Sequence, residues 1–263
     1  MLNKKLLLIG RYSFISTNIY FNLKKKLNIK KISFEKFKKI PKIELNKFDF
    51  VCNCSINKKY VNEKYKESND IDFYVAKKLK NLSPKFIFLS SRKVYPRKAN
   101  LKESTTPEPK EYYSKNKIIT ENKIKLFSDN KILILRISNI IGKPLKKIRR
   151  KVSITFIDNF FSYKKKQKIL YENHFKDFLS INQFSKIFFE ILKSNLHGVF
   201  NISLGKKVYI NELIKVLNKN RSIKFKKIKI LKKDSFYLNN EKLKKKIKFK
   251  ITKKELLNYC SKI

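Results

Sequence analysis

The stretch LLLIGRYSFISTN, Leu6 to Asn18, decides the fold. Its apolar run Leu6–Ile9 predicts a buried strand, Gly10 permits a tight turn, and a helical pattern starts at Phe14. A strand, a glycine turn and a helix N-terminus together present backbone N–H groups to a pyrophosphate. Two of the three glycines of such a loop are serines here, Ser13 and Ser16. Taken alone the turn is a weak signal, and a plain strand-to-helix turn is the alternative.

Short apolar runs alternate with helical patterns through the first half of the chain. This alternation predicts βαβ units and a parallel sheet. The further strands predicted are Phe48–Cys54, Phe86–Ser90 and Ile132–Arg136, and the helices are Phe14–Leu27, Asp72–Leu82 and Tyr112–Phe127. We therefore expect an α/β fold, with a Rossmann-like doubly wound parallel sheet over residues 1–145.

The pattern is less regular over residues 146–263. Helices are predicted near Ile154–Tyr163, Asn182–Lys193 and Ile210–Asn218, followed by a lysine-rich tail. No Gly/Ser linker separates the two parts, so we expect a smaller C-terminal α/β region that packs on the first and binds substrate.

The net charge of +46 raises the question of a polyanionic partner. The positive charge is almost all lysine and runs through the whole chain, whereas readers of bases and phosphates depend on arginine forks. A nucleic acid partner is therefore disfavoured, although the charge leaves it open. Three cysteines and two histidines show no disulfide framework or zinc spacing, and no apolar run is long enough to span a bilayer. We expect no metal, no membrane span and a cytoplasmic location.

Two further stretches carry groups suited to catalysis. In FLSSRKVYP, Phe88–Pro96, Ser90 and Ser91 end a buried strand, where ligands meet open parallel sheets. In YYSKNKIITEN, Tyr112–Asn122, Tyr113 and Lys117 are four residues apart and share one helix face. An ammonium near a phenol lowers the pKa of the phenol and makes it a usable acid or base.

In order and spacing, these motifs resemble the extended short-chain dehydrogenase/reductase family of NAD-dependent, sugar-nucleotide epimerases, reductases and dehydratases. Its TGGxGFIGS lies over Ile9–Thr17, its SSxxVYG over Ser90–Pro96, and its YxxSKxxxE over Tyr113–Glu121, with Asn116 replacing a serine. The later stretches LRISNIIGKP (Leu135–Pro144) and GVFNISLGKKVYINEL (Gly198–Leu213) also follow family motifs. The resemblance covers essentially the whole chain.

The resemblance implies a role for each matching residue. Tyr113 would be the general acid/base at the sugar, Lys117 would hold the nicotinamide ribose, and Ser91 would hydrogen-bond the substrate oxygen. The implied cofactor is NAD or NADP. The implied cofactor contacts, besides Tyr113 and Lys117, are Gly10, Ser13, Phe14, Ile15, Glu35, Cys54 and Ser55. The implied substrate contacts, besides Ser91, are Arg92, Asn139 and Lys176.

The type of reaction is narrowed by one pair of positions. The dehydratases of the family carry an Asp-Glu pair where this chain has Arg92 and Lys93, so an epimerase or a 4-keto-sugar reductase is favoured. Glu35 suits the ribose of NAD, whereas the lysines after it suit the phosphate of NADP, and the choice stays open. The alternative function is a weakly active or inactive member that keeps the fold and binds RNA or another polyanion. Because family members often dimerise through the helix of Tyr113 and Lys117, a homodimer is an expectation.

Overall fold

The computed structural model describes residues 2–127, 131–142, 169–219, 224–228 and 234–263. The strands of these residues are β1 (Leu2–Ile9), β2 (Leu27–Ile32), β3 (Phe50–Asn53), β4 (Lys85–Ser91), β5 (Ile132–Ile137), β6 (Asn139–Ile141), β7 (Ile169–Tyr171), β8 (Phe175–Lys176), β9 (Phe178–Ser180), β10 (Gly198–Ile202), β11 (Val208–Tyr209) and β12 (Phe225–Lys227). The helices are α1 (Phe14–Leu23), α2 (Phe34–Lys39), α3 (Lys42–Leu45), α4 (Lys58–Asn62), α5 (Ile71–Leu79), α6 (Tyr112–Lys125), α7 (Ile181–Lys193), α8 (Ile210–Leu217), α9 (Glu241–Lys244) and α10 (Lys253–Ser261). None of these helices is long and apolar enough to cross a membrane.

A parallel sheet organises the described residues. Six strands pair in the order β10-β5-β4-β3-β1-β2, and every pairing is parallel. The chain runs from β1 outward to β2, then returns to the other side of β1 to form β3. This reversal opens a crevice at the carboxyl ends of β1 and β3, which is where ligands bind in open α/β sheets. The predicted doubly wound, Rossmann-like fold is confirmed.

The central part of the sheet is buried on both faces, because strands such as β1 and β3 carry uninterrupted apolar runs there. Leu6 and Leu8 of β1 pack in a cluster with α1 and α7, whereas Leu7 and Ile9 pack on the opposite face, against α5. A strand that is covered on both sides reads as a continuous apolar run. This explains why the run at Leu6–Ile9 was sufficient to predict it.

The predicted helix Phe14–Leu27 was too long. Helix α1 ends at Leu23, and Leu27 begins β2 at the edge of the sheet. Leu23 and Leu27 are four residues apart, so Leu27 fits helical spacing although it belongs to a strand. Only Leu27 and Ile32 of β2 are buried, which left this edge strand without a visible apolar run.

The second half of the chain contributes to the same sheet. Strand β10, at residues 198–202, pairs with β5, so the sheet draws on both predicted regions. Helix α7 lies against α1, where Asn22 Nδ2 donates to Asn182 Oδ1 at 3.2 Å and to Ser185 Oγ at 2.9 Å. The helix predicted near Ile154–Tyr163 lies outside the described residues.

Candidate active site

The glycine turn after β1 needs its one glycine for two reasons. Gly10 has a φ of +107°, a conformation that side chains disfavour. A Cβ at this position would lie 2.9 Å from Ser55 Oγ and 3.0 Å from the carbonyl carbon of Cys54. The turn is thereby pressed against the end of β3, and Gly10, Cys54 and Ser55 line the crevice between the two strands.

The two serines of the turn bond to the turn itself. Ser13 has an ordinary extended backbone and is the N-cap of α1, where its Oγ accepts from Ser16 N at 3.2 Å. Its hydroxyl donates to Ser16 Oγ at 2.9 Å, and Ser16 Oγ in turn donates to Gly10 O. Both hydroxyls are therefore held within the turn and not directed at a ligand.

The N-terminus of α1 directly follows the glycine turn. The first amides of any helix lack intrahelical acceptors and carry the positive end of its dipole. Phe14 and Ile15 form the first turn of α1, and both are partly buried against the core. Phe14 also packs on Gly142, where an added Cβ would lie 2.6 Å from the ring. These residues fit a dinucleotide whose pyrophosphate meets this helix end.

The predicted acid–base pair lies on α6, beside the end of β4. Tyr113 is half-buried in the first turn, and Lys117 is 4% exposed one turn later. The Nζ of Lys117 lies 5.9 Å from the centroid of the Tyr113 ring. It donates to Asp72 Oδ2 at 2.9 Å and to Leu89 O at 3.0 Å, next to the end of β4.

The charge of Lys117 is stabilised although it is buried. Burial lowers the pKa of Lys117, but the carboxylate of Asp72 and the phenol of Tyr113 outweigh burial, so the pKa lies above its ordinary value. The residue is therefore an ammonium at neutral pH.

Ser91 ends β4 and faces the same region of the fold. Its side chain is half-buried, and its Oγ accepts from Lys93 N at 3.2 Å, which caps a short 3₁₀ turn. An oxygen that accepts here still has its own proton to donate.

Helix α6 is fixed beneath these groups by a buried ion pair. Glu121 is fully buried and accepts from Arg136 Nη2 of β5 at 2.7 Å. It also accepts from the hydroxyl of Ser90, the neighbour of Ser91. Asn116, at the position where the resembling family has serine, donates to Tyr60 O at 2.7 Å and to Glu63 O at 2.9 Å. Charge-assisted bonds of this kind fix the helix relative to β4 and β5.

Two of the four predicted substrate residues converge on a carboxylate. Arg92 donates to both oxygens of Asp234, at 3.1 and 2.8 Å, and Lys176 Nζ lies 2.9 Å from Oδ2. The guanidinium of Arg92 also lies 3.9 Å from the ring centroid of Phe236. Although burial raises it, the pKa of Asp234 is held well below its usual range by Arg92 and Lys176.

The other predicted residues lie apart from these clusters. Asn139 is half-buried at the start of β6, in register with Phe178 of β9. Glu35 lies in the first turn of α2, where its side chain is 72% exposed and pairs with Lys38 at 2.6 Å. Ser33 directly follows β2, so the structure places a hydroxyl at the end of that strand and the acid two residues beyond it.

Two acids at these clusters were missed in the sequence. Asp72 holds Lys117 and Asp234 holds Arg92 and Lys176. A signal for Asp72 was present, since it stands between apolar residues at the start of a predicted helix in a chain with 20 acids and 66 basic residues. No sequence signal marked Asp234. Among the described residues, no cluster of His, Cys, Asp or Glu is arranged to hold a metal ion.

Comparison with known proteins identifies the family of the chain. Residues 36–203 match the model of the NAD dependent epimerase/dehydratase family. A comparison with curated protein sequences found no match.

Several solved structures share the fold. A UDP-N-acetylglucosamine 4-epimerase from Methanobrevibacter ruminantium M1, in complex with UDP-N-acetylmuramic acid, is 20% identical, with a TM-score of 0.77 over 99% of this chain and 97% of that one. The Bordetella bronchiseptica enzyme WbmG, in complex with NAD and UDP, is 18% identical, with a TM-score of 0.74 over 97% and 92%. A UDP-glucose 4-epimerase from Thermotoga maritima, with UDP-glucose, is 16% identical, with a TM-score of 0.73 over 98% and 97%. At these identities the likeness shows the fold alone.

Proposed function

The chain belongs to the NAD-dependent epimerase/dehydratase family, and we propose that it is an NAD(P)-dependent oxidoreductase or epimerase of a nucleotide-linked sugar. The observation that supports this proposal is the position of Lys117 on α6, where its Nζ lies 5.9 Å from the centroid of the Tyr113 ring and bonds to Leu89 O at the end of β4. A phenol, a buried ammonium and the Ser91 hydroxyl there have the chemistry that proton transfer at a sugar oxygen needs.

Each residue of the proposed site has one task. Tyr113 exchanges a proton with the sugar hydroxyl or ketone oxygen, and Ser91 donates a hydrogen bond to that oxygen. Lys117 holds the nicotinamide ribose and places a positive charge near the phenol ring. The nicotinamide cofactor, when bound, supplies the hydride chemistry. Gly10, Ser55 and the N-terminus of α1 hold the pyrophosphate end.

The proposed reaction is reduction or epimerisation and not dehydration. Elimination of water needs an acid and a base beside the reacting carbons. Arg92 is held by Asp234, and Lys93 pairs with Glu111 at 2.6 Å. Both side chains are cations, and an arginine does not give up its proton in a protein. Arg92 and Lys176 instead supply positive charge suited to a substrate diphosphate.

The experiment starts with binding of the cofactor. The chain has 13 tyrosines and no tryptophan, so energy transfer from tyrosine to NADH or NADPH reports binding directly. We expect Tyr113→Phe to abolish turnover of UDP-sugars while its cofactor affinity stays within about fivefold, since one hydroxyl is removed and about 1 kcal/mol is at stake. Tyr112→Phe is the matched control, because Tyr112 is the neighbouring phenol and is 51% exposed.

The outcomes separate the proposed enzyme from the alternative, a weakly active or inactive family member that binds RNA or another polyanion. Turnover retained in Tyr113→Phe contradicts the role of the phenol. A wild-type protein that binds neither cofactor at millimolar concentration contradicts the enzyme, and steeply salt-dependent binding of RNA would then support the polyanion-binding alternative.

A further inference from the structure

A buried carboxylate, Asp72, contacts the proposed catalytic lysine. Asp72 lies in the first turn of α5 and is 4% exposed. Its Oδ2 accepts from Lys117 Nζ at 2.9 Å, and its Oδ1 accepts from Asn53 Nδ2 at 2.7 Å. The two oxygens are thus held by different elements, Oδ2 by Lys117 on α6 and Oδ1 by Asn53 on β3.

We propose that Asp72 is a positioning residue that holds Lys117 as an ammonium with one N–H directed into the crevice. The inference rests on the proposed function, since it concerns how that lysine serves the cofactor. An ammonium has three N–H donors. Asp72 and Leu89 O take two of them, which leaves the third for the ribose.

The position of Asp72 is itself fixed from the cofactor side. Asn53 ends β3, and its side chain accepts from Ser55 N at 2.9 Å and donates to Ser55 O at 3.0 Å. Ser55 is the residue against which Gly10 is pressed. A continuous path of direct contacts therefore joins the glycine turn to Lys117 through Ser55, Asn53 and Asp72.

The electrostatics of this cluster depend on Asp72. The titratable groups that face the pair are Cys52 on β3, Tyr60 on α4, Asp70 on α5 and Tyr113 on α6. Of these, Asp70 is a second carboxylate, but its Oδ2 is bonded to Thr120 and Tyr65 and not to Lys117. Burial opposes the charge of Lys117, and Asp72 is the leading group that offsets burial.

Removing the charge of Asp72 should therefore change how Lys117 titrates. In Asp72→Asn the side-chain volume is kept, but the buried ammonium loses its counter-ion and its pKa falls. Below the new pKa the ammonium still serves the cofactor, and above it that donor and charge are lost. A role confined to packing would weaken binding equally at every pH.

The test is the affinity for NADH measured from about pH 7 to about pH 9.5 in the full chain. We expect the ratio of the two dissociation constants in Asp72→Asn to exceed the wild-type ratio by about twofold or more, because a lysine whose pKa falls about one unit below its ordinary value of about 10.4 is roughly half deprotonated at about pH 9.5. Asp70→Asn is the matched control, because asparagine also caps helices and this acid does not bond to Lys117. Its ratio should change less than that of Asp72→Asn, because Asp70 ranks behind Asp72 and Tyr113 among the groups that raise the pKa of Lys117 and makes no hydrogen bond to it. In a Lys117→Met background, Asp72→Asn should add no further pH dependence.

Each result decides the inference. An unchanged ratio in folded Asp72→Asn overturns the inference. An equally large change of the ratio in Asp70→Asn also overturns it, as does an equally large effect of Asp72→Asn in the Lys117→Met background. If Asp72→Asn does not fold, Asp72→Ser is measured in its place, and its ratio is compared in the same way with those of the wild type and Asp70→Asn. A wild-type protein that binds no cofactor overturns the proposed function and this inference with it, whereas wild-type binding with an unchanged ratio overturns the inference alone.

Discussion

Replacing Ser13 tests whether the altered glycine turn can hold a cofactor. The Ser13 hydroxyl is bonded to Ser16 N and to Ser16 Oγ, so it is directed at α1 and not into the crevice. Its φ of −72° and ψ of 151° need no glycine. We therefore expect Ser13→Gly to leave the affinity for NADH within about threefold of the wild-type value, since no protein–cofactor contact worth more than about 0.6 kcal/mol changes.

Replacing Ser13 is instead expected to lower the stability of the fold. Loss of an N-cap hydroxyl costs about 1 kcal/mol with alanine and a few tenths with glycine. Loss of the second bond, to Ser16 Oγ, adds about 0.5–1 kcal/mol. Ser13→Ala should thus lower the free energy of unfolding by about 1.5–2 kcal/mol. For a chain of this size that corresponds to a fall in Tm of about 2–4 °C per kcal/mol.

The assay combines thermal unfolding with NADH titration. Thr252→Ala is the matched control, since Thr252 caps α10 by accepting from Glu255 N at 3.1 Å and lies outside the glycine turn. It should lose stability with no change in affinity. If Ser13→Gly binds NADH tenfold more tightly than the wild type, the side chain does obstruct the pyrophosphate and the reasoning from its hydrogen bonds is refuted.

The remaining predictions concern Gly10 and Asp177. Gly10→Ala combines an unfavourable positive φ with contacts of 2.9–3.0 Å to Ser55 and Cys54, so it should lower the free energy of unfolding by about 2–4 kcal/mol and abolish NADH binding; a urea midpoint equal to that of the wild type would contradict this. Asp177 is fully buried, and burial raises its pKa to about 7 against the backbone amides of Leu204, Leu238 and Gly205. Because the folded pKa lies above the unfolded value of about 3.9, this residue stabilises the fold most below about pH 4, and its contribution is lost as the pH rises through about 7; urea titrations of the wild type and of Asp177→Asn should show this decline only in the wild type.

The parts of the fold that the sequence predicted are those with local signals. Strands β1, β4 and β5 are buried on both faces, so their apolar runs identified them within a few residues. Strand β2 was missed because it lies at the edge and buries only its two ends. The assignment of β10 to the sheet could not be predicted either, because parallel pairing with β5 depends on a long crossover and not on neighbouring residues.

The residues of the candidate site also fall into those with a local sequence signal and those without one. Tyr113 and Lys117 were paired from the sequence because four residues on a helix fix their separation. Asp72 lies 45 residues from Lys117, and Asp234 lies 142 residues from Arg92. Nothing in a local pattern connects groups at such separations, since the sheet order brings them together. The roles assigned to Ser91, Tyr113, Lys117 and the cofactor contacts stay predictions.

The distribution of charge explains why a net charge of +46 says little about the site. Among the described residues, the buried cations are Lys117 and Arg136, and each is bonded to a buried acid, Asp72 or Glu121. An unpaired ion in the interior costs several kcal/mol, so these pairs are obligatory wherever a cation is buried. A lysine at the surface is solvated and screened, and it carries no such requirement. In the part of the chain that the structure describes, the surplus of positive charge therefore lies on the solvated surface, while the chemistry proposed for the crevice depends on a few interior acids.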